Sequence, residues 1–180
     1  MRQARLKNIT ISGKWLRTTW HRCATTFIDE SCAGRCCQGG RGKVLVAVLP
    51  EEQNTLQQIG ADVVDGMLQA DSRNLCPFKL DDGRCQLHAT ENKPFGCQSA
   101  PFILNKNGTL VIRHRYIHMP CYGGDVPAHM AFMRELRFLL GDGEARAVRN
   151  AAIGGEDKLA ARMPYQNYIA LMRLHGVRHG

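Results

Sequence analysis

Cys32-Ala33-Gly34-Arg35-Cys36-Cys37 is the stretch that decides how this chain folds. It carries three cysteines within one turn-like segment, and two of them are adjacent. Adjacent cysteines are poorly placed for a disulfide with each other, because one peptide step separates their Cα atoms by less than a disulfide usually spans. Thiolates from near and distant positions can instead converge on a zinc ion or an iron–sulfur cluster. The stretch therefore predicts a metal site that other cysteines complete.

A second block of cysteines follows between residues 75 and 122, beyond a predicted strand and helix. Within it, Asp81-Asp82-Gly83 predicts a turn that brings Cys76 and Cys85 back toward each other, as in a zinc knuckle or a hairpin. Over both blocks, the predicted metal ligands are Cys32, Cys36, Cys37, Cys76, Cys85, Cys97 and Cys121. Cys23 equally suits a buried apolar side chain, and His88 allows a mixed Cys/His zinc site, so both stay open as ligands.

The order of the motifs resembles a known family, the zinc- or iron-chelating cysteine-cluster proteins named for a CxxCxxCC signature, to which flagellin lysine N-methylases are related. The resemblance spans residues 32–123, about half of the chain. Its motifs are Cys36-Cys37, Glu51-Glu52, Cys76-Pro77-Phe78, Gly83-Arg84-Cys85, Lys93-Pro94, Cys97, Pro101-Phe102 and Cys121-Tyr122-Gly123. It implies zinc or iron as cofactor, with a 4Fe-4S cluster as one form of the iron.

The expected fold class is α+β, a small irregular metal-stabilised domain with short strands, a β-hairpin and C-terminal helices. The 180 residues fit a single domain, 1–180. Within it we expect a basic N-terminal arm over 1–31, a cysteine-cluster core over 32–124 and a helical region over 127–180. Glycines of the run 38–43 would let the backbone wrap closely around the sulfur ligands.

Several elements can be placed from local patterns. The apolar run 44–49 predicts a buried strand. Pro50-Glu51-Glu52 predicts the start of a helix. Apolar residues continue at helical spacing to residue 68, although Gly60 and Gly66 interrupt the pattern. The turn 105–108 between two apolar segments predicts a hairpin. Helices are expected from residue 130 to Gly141, over 144–152, and after Pro164.

The net charge of the chain does not identify a binding partner. With 24 Lys and Arg against 16 Asp and Glu, the formal net charge is +8, and bound thiolates would reduce it. The early basic residues superficially resemble a transit peptide, but Trp15, Leu16 and Trp20 favour a segment that docks on the fold. No apolar run approaches the roughly 18 residues of a membrane span, so we expect no membrane partner and a cytoplasmic location.

Three functions follow from these patterns. The first is a metal-binding protein that chelates zinc or iron through the two cysteine blocks. The alternative is an iron–sulfur-dependent enzyme that modifies a partner protein, which the family resemblance implies. The third is a nucleic-acid binder that uses the basic arm around Trp15 and Trp20. No His-Glu-x-x-His is present, so no catalytic residue is assigned and enzymatic activity stays open.

Overall fold

The computed structural model describes residues 5–39, 44–88 and 90–179, so most of the predicted glycine-rich run lies outside the described residues. The chain divides into two compact units. The first unit comprises Met1–Arg22 and Ser99–Met172, and the second comprises Cys23–Gln98 and Arg173–Gly180.

The described chain consists of short strands and mostly short helices. The strands are β1 (Leu6–Ser12), β2 (Thr19–Trp20), β3 (Val44–Ala47), β4 (Val63–Val64), β5 (Met67–Gln69), β6 (Phe102–Leu104), β7 (Thr109–Ile112), β8 (Val126–Pro127) and β9 (Lys158–Pro164). The helices are α1 (Gly13–Leu16), α2 (Thr25–Phe27), α3 (Pro50–Gln58), α4 (Phe95–Gln98), α5 (Ala128–Ala131), α6 (Met133–Leu140), α7 (Asp142–Ile153) and α8 (Tyr165–His179).

The first unit is built on a four-stranded sheet of order β6-β7-β1-β9. Strand β1 runs parallel to β7 and antiparallel to β9, with Thr10 opposite both Thr109 and Ala160. Alternate residues of β1 and β9 are buried, because successive side chains of a strand point to opposite faces. The largest fully buried side chains of this unit are Ile11, Leu16, Trp20, Phe102, Leu104, Leu110, Ile112, Leu136, Leu139 and Leu159.

Two segments of this unit differ from expectation. The start of the predicted basic arm forms β1, a central strand, and the predicted helical region 127–180 contains the seven-residue strand β9. The alternation of Leu159, Ala161 and Met163 with exposed residues is the period-two signal that marks β9. The expected docking of the tryptophan segment is confirmed, since Leu16 and Trp20 are fully buried.

The second unit contains a small antiparallel sheet of order β3-β5-β4 with α3 following β3. The predicted buried strand is confirmed, because residues 45–49 are all buried. The predicted helix start is confirmed as well, with Pro50 in the first turn and the carboxylate of Glu52 accepting a hydrogen bond from the backbone N–H of Leu49 at 3.0 Å. The second unit therefore has its own core, separate in composition from the sheet core of the first.

The helix predicted to continue toward residue 68 is wrong beyond Gln58. Gly60 has φ 94° and ends the helical segment, and residues 63–69 form the hairpin of β4 and β5. Its connection is Asp65-Gly66, both with positive φ, which is the geometry of a tight two-residue hairpin turn. The Asp65-Gly66 pair indicates this turn in the sequence. The apolar residues around it, Val63, Val64, Met67 and Leu68, fit a helix and a hairpin equally well.

Other predictions hold. Strands β6 and β7 pair around the predicted turn, with Ile103 opposite Val111, and α6, α7 and α8 occupy the predicted helical segments. The mixed helices and small sheets agree with an α+β fold. Among residues 5–39, 44–88 and 90–179, no helix is both long enough and apolar enough to cross a membrane.

Candidate metal centre

The first cysteine block is fixed to the second through the backbone. The N–H of Cys76 donates to the carbonyl oxygen of Cys37 at 2.8 Å, and the next residue, Gln38, pairs with Leu75 in an antiparallel bridge. One residue further on, the N–H of Gly39 donates to the carbonyl oxygen of Asn74 at 2.9 Å. Cys37 and Cys76 are therefore held side by side by a short ladder that joins distant parts of the chain.

The turn that carries Cys36 and Cys37 requires glycine. Ala33 and Gly34 have φ values of 46° and 62°, and a 3-10 turn follows over Arg35–Cys37. A Cβ on Gly34 would lie 2.2 Å from the carbonyl oxygen of Gly83, which no side chain can occupy. Gly34 thus permits the close approach of this turn to the loop that precedes Cys85.

That loop is the predicted turn between Cys76 and Cys85. Lys79 pairs with Cys85, the N–H of Leu80 donates to the carbonyl oxygen of Arg84 at 2.8 Å, and Gly83 has φ 80°. The chain therefore reverses between the two cysteines, as the Asp-Asp-Gly sequence predicts.

Cys97 reaches the same region on the short helix α4. The preceding residue, Gly96, lies against β3, where an added Cβ would be 2.6 Å from the carbonyl oxygen of Ala47. The N–H of Phe95 donates to the carboxylate of Glu52 at 2.7 Å. Both contacts position α4 against the strand and helix of the second unit.

Four thiols therefore border one apolar core. Cys76 is a buried member of it, and Cys37, Cys85 and Cys97 are half-buried residues packed against it. The apolar members of the core are Leu45, Val46, Val48, Leu56, Ala61, Val63, Leu68, Phe78 and Leu87. Cys37, Cys76 and Cys85 are not in disulfides, so each could lose its proton and bind a metal as a thiolate.

The thiols interact with one another. The Cys36 and Cys37 sulfurs lie 4.0 Å apart, and Cys37 donates a hydrogen bond to Cys76. The hydrogen bond with Cys36 lowers the pKa of Cys37, but the hydrogen bond to Cys76, burial, and the nearby sulfurs of Cys76 and Cys97 raise it to about 12. The bond from Cys37 lowers the pKa of Cys76 against the opposing effect of burial. Cys76 is therefore the first of the pair to become a thiolate.

The remaining predicted residues lie elsewhere. Cys32 is buried at the end of a π-helical turn, Ile28–Cys32, outside the group that borders this core. Cys121 is buried in the first unit, where its carbonyl oxygen accepts a hydrogen bond from His21 at 2.7 Å. The two open candidates, Cys23 and His88, are both exposed. Ligation by Cys32 and Cys121 stays a prediction.

The donors are gathered but not arranged as a finished shell. In the part of the chain that the structure describes, no three Cys, His, Asp or Glu side chains are placed to hold a metal ion. The chemistry of the four core-bordering donors nevertheless suits zinc or iron, since all are soft sulfur atoms. Rotation of half-buried thiols about their own side-chain bonds is a smaller change than any movement of the backbone that carries them.

Glu52 is a supporting residue that the sequence patterns do not assign. Its carboxylate joins the start of α3 to the start of α4 by accepting hydrogen bonds from the backbone N–H groups of Leu49 and Phe95. Burial raises the pKa of Glu52, and its two backbone hydrogen bonds oppose that shift. A glutamate at the third position of a helix is the signal that could have indicated this role.

The first unit has a separate polar cleft of about 740 Å³ along β1 and β9. Lys7 lies over the ring of Tyr168 at 5.3 Å, and Arg162 is paired with Glu144 at 2.7 Å. Trp20, which the nucleic-acid hypothesis invoked, is enclosed by Tyr122 and Phe132 with ring centroids 5.0 and 5.2 Å away. Its buried ring is not accessible for stacking on a base.

Comparison with known proteins identifies no relative of this chain. No family model, curated protein or solved structure matches the chain.

Proposed function

We propose that this protein binds a metal ion, zinc or iron, through Cys37, Cys76, Cys85 and Cys97. The observation that carries the proposal is the convergence of four cysteines from three separate segments on one core. Cysteines are often buried as small apolar side chains, but the hydrogen bond from Cys37 to Cys76 and the effect of Cys85 and Cys97 on the pKa of Cys76 support a shared role for these four thiols.

Zinc is the metal that the spacing favours. The irregular spacing of the cysteines along the chain lacks the ferredoxin-type run that is typical of iron–sulfur proteins, whereas four thiolates suit a tetrahedral zinc ion. A bound ion would supply charge neutralisation for the thiolates and a cross-link between the two cysteine blocks.

Metal analysis of protein purified without oxygen tests the proposal. We expect about one zinc or iron per chain, and an assay of acid-labile sulfide distinguishes a single ion from a cluster. Replacement by cobalt should give the visible absorption of a tetrahedral thiolate site. Cys76→Ser should lose metal, and Cys23→Ser should retain it, because Cys23 is an exposed cysteine outside the core group. Folded wild-type protein that takes up no metal from zinc-containing buffer would contradict the proposal.

The enzyme alternative rests on the family resemblance. An iron–sulfur-dependent modification of a partner protein requires a cluster, so the same sulfide assay tests its first requirement. No residue is assigned a catalytic role.

A further inference from the structure

Cys37 and Cys76 occupy opposite positions of an antiparallel ladder in the second unit. Gln38 and Leu75 form a bridge, and beside that bridge the N–H of Cys76 donates to the carbonyl oxygen of Cys37 at 2.8 Å. Because the strands run antiparallel, one step back from Gln38 lies opposite one step forward from Leu75. The register therefore places Cys37 directly across from Cys76, although the two residues are distant in the chain.

This placement suits a disulfide between the two residues. Opposite residues at a hydrogen-bonded position of an antiparallel ladder have Cα atoms about 5.5 Å apart, and their side chains project to the same face. A disulfide usually joins Cα atoms about 4.4–6.8 Å apart. The Cys37 thiol also donates a hydrogen bond to the Cys76 sulfur, so the two sulfurs are already neighbours. A bond between them requires no change in the backbone pairing.

The other cysteines near this core are placed differently. The Cys36 sulfur lies 4.0 Å from that of Cys37, but one peptide step holds their Cα atoms about 3.8 Å apart, which is less than a disulfide usually spans. Cys85 pairs with Lys79 in a bridge of its own, and Cys97 lies on the short helix α4. The ladder therefore favours Cys37 and Cys76 as the pair that can be joined.

We propose that Cys37 and Cys76 form a site of reversible oxidation, at which hydrogen peroxide converts the two thiols into a disulfide. The Cys76 sulfur, as a thiolate, attacks one peroxide oxygen; an S–O bond forms, the O–O bond breaks, and the departing hydroxide takes the proton that Cys76 released. The Cys37 sulfur then attacks the Cys76 sulfur. An S–S bond forms, the S–O bond breaks, and hydroxide leaves as water with the Cys37 proton. The two thiols lose two electrons, which the peroxide gains.

The burial of the pair favours a small oxidant. Cys37 is half-buried, and Cys76 is only 8% exposed. Hydrogen peroxide is little larger than water and uncharged, so it can approach sulfurs at the border of a core where a bulky disulfide reagent would be excluded. Disulfide formation requires only the two thiols, so it does not depend on the proposed metal binding.

Peptide mass spectrometry tests the pairing. Reduced protein in EDTA is treated with hydrogen peroxide, its remaining thiols are alkylated, and it is digested with trypsin without reduction. We expect the peptide of residues 36–41 to be joined to that of residues 74–79, and dithiothreitol should separate them. Fragmentation of the joined peptides in wild type should place the bond on Cys37.

Two adjacent variants provide matched controls, because residues 36–41 contain both Cys36 and Cys37. Cys36→Ser should still form the joined peptides, and Cys37→Ser should lose them. Oxidation should also raise the midpoint of urea denaturation in wild type and in Cys36→Ser, because the cross-link restricts the unfolded chain between residues 37 and 76. Cys37→Ser should show no such rise.

Wild-type protein that forms no bond between Cys37 and Cys76 under peroxide would overturn the inference, as would joined peptides that persist in Cys37→Ser. Neither result bears on metal binding, which is measured separately on reduced protein. Reduced protein that takes up no metal but forms the disulfide would contradict the proposed function and leave this site intact.

Discussion

Glu52 shows how a single side chain can stabilise the cysteine-bearing unit from outside the thiol group. Its two carboxylate oxygens accept the backbone N–H groups of Leu49 and Phe95, at 3.0 and 2.7 Å. These are the segments that begin α3 and α4, and α4 carries Cys97. A half-buried donor that loses its acceptor keeps the cost of its desolvation.

Glu52→Ala should therefore lower the free energy of unfolding of the second unit by about 1–3 kcal/mol. Urea denaturation followed by far-ultraviolet circular dichroism measures the change. Glu51→Ala is the matched control, because Glu51 is an exposed neighbour that forms an ion pair with Arg173 at 3.4 Å. Its effect should stay below about 1 kcal/mol, the usual range for an exposed pair. Equal losses for the two variants would contradict the role assigned to Glu52.

Glu144, in the first unit, has a pKa that its contacts with Arg162 lower. The hydrogen bond from the backbone N–H of Arg162 is the main cause of the lowered pKa of Glu144. Burial raises this pKa, whereas the hydrogen bond and the charge of the Arg162 side chain lower it further. A carboxylate with a lowered pKa stabilises the fold above its unfolded-state pKa of about 4.3, and that contribution is lost as the pH falls through the lowered value.

Wild type should accordingly be more stable than Glu144→Gln at pH 7, and the difference should disappear on acidification from about pH 4 downward. Tryptophan fluorescence during urea denaturation reports on the unfolding of the first unit, since Trp15 and Trp20 both lie there. A difference that stays constant from pH 7 to pH 3 would show that the carboxylate charge is not involved.

At the scale of elements, close backbone approach decides whether the two cysteine blocks meet. The cysteine turn at Gly34 touches the loop at Gly83, and α4 touches β3 at Gly96. A Cβ at Gly34 or Gly96 would meet a backbone carbonyl oxygen, of Gly83 or of Ala47, which cannot move aside as a flexible side chain could. The glycines therefore support the site although they cannot bind metal.

Gly34→Ala should destabilise the second unit and weaken its metal affinity, because the added methyl group would lie 2.2 Å from the Gly83 carbonyl oxygen at a φ of 62°. We expect a loss of about 1–3 kcal/mol from the strained backbone alone, measured by urea denaturation, with zinc affinity measured by competition with a chelator. Gly60→Ala is the control: its φ is also positive, but no atom lies within 4 Å of the added Cβ. Unchanged zinc affinity in Gly34→Ala would contradict the need for close approach.

At the scale of the whole molecule, the two units differ in the composition of their cores. The first unit buries large apolar side chains such as Leu110, Leu136 and Leu159 against a four-stranded sheet. The second has a smaller sheet and places its thiols at the border of its core. A structural zinc site can contribute roughly 10–16 kcal/mol, which is comparable with the net stability of a domain.

Removal of the proposed metal by a chelator should therefore loosen the second unit first. Hydrogen exchange at the Cys76 amide, which bonds to Cys37, should accelerate by at least about tenfold. Amides paired between β1 and β9 should keep their protection, and tryptophan fluorescence should not change. Simultaneous loss of protection in both units would contradict their separate stabilisation.

Local sequence predicted those features that depend on neighbouring residues. The strand after the cysteine turn, the start of α3 and the hairpin of β6 and β7 follow from short apolar runs bounded by Pro, Asn and Gly. β9 carries the local alternation of a strand, but its pairing with β1 joins distant segments, and the apolar spacing of β4 and β5 also fits a helix.

The sequence by itself determined that this chain concentrates cysteines in two blocks and separates them by a strand and a helix. Only the tertiary structure decided which sulfurs meet. Cys37 lies beside Cys76 because a backbone hydrogen bond joins them, Cys36 is exposed on the same turn, and Cys121 belongs to the other unit. The physical reason is that backbone pairing and burial act between residues distant in the chain, and spacing along the sequence does not encode them.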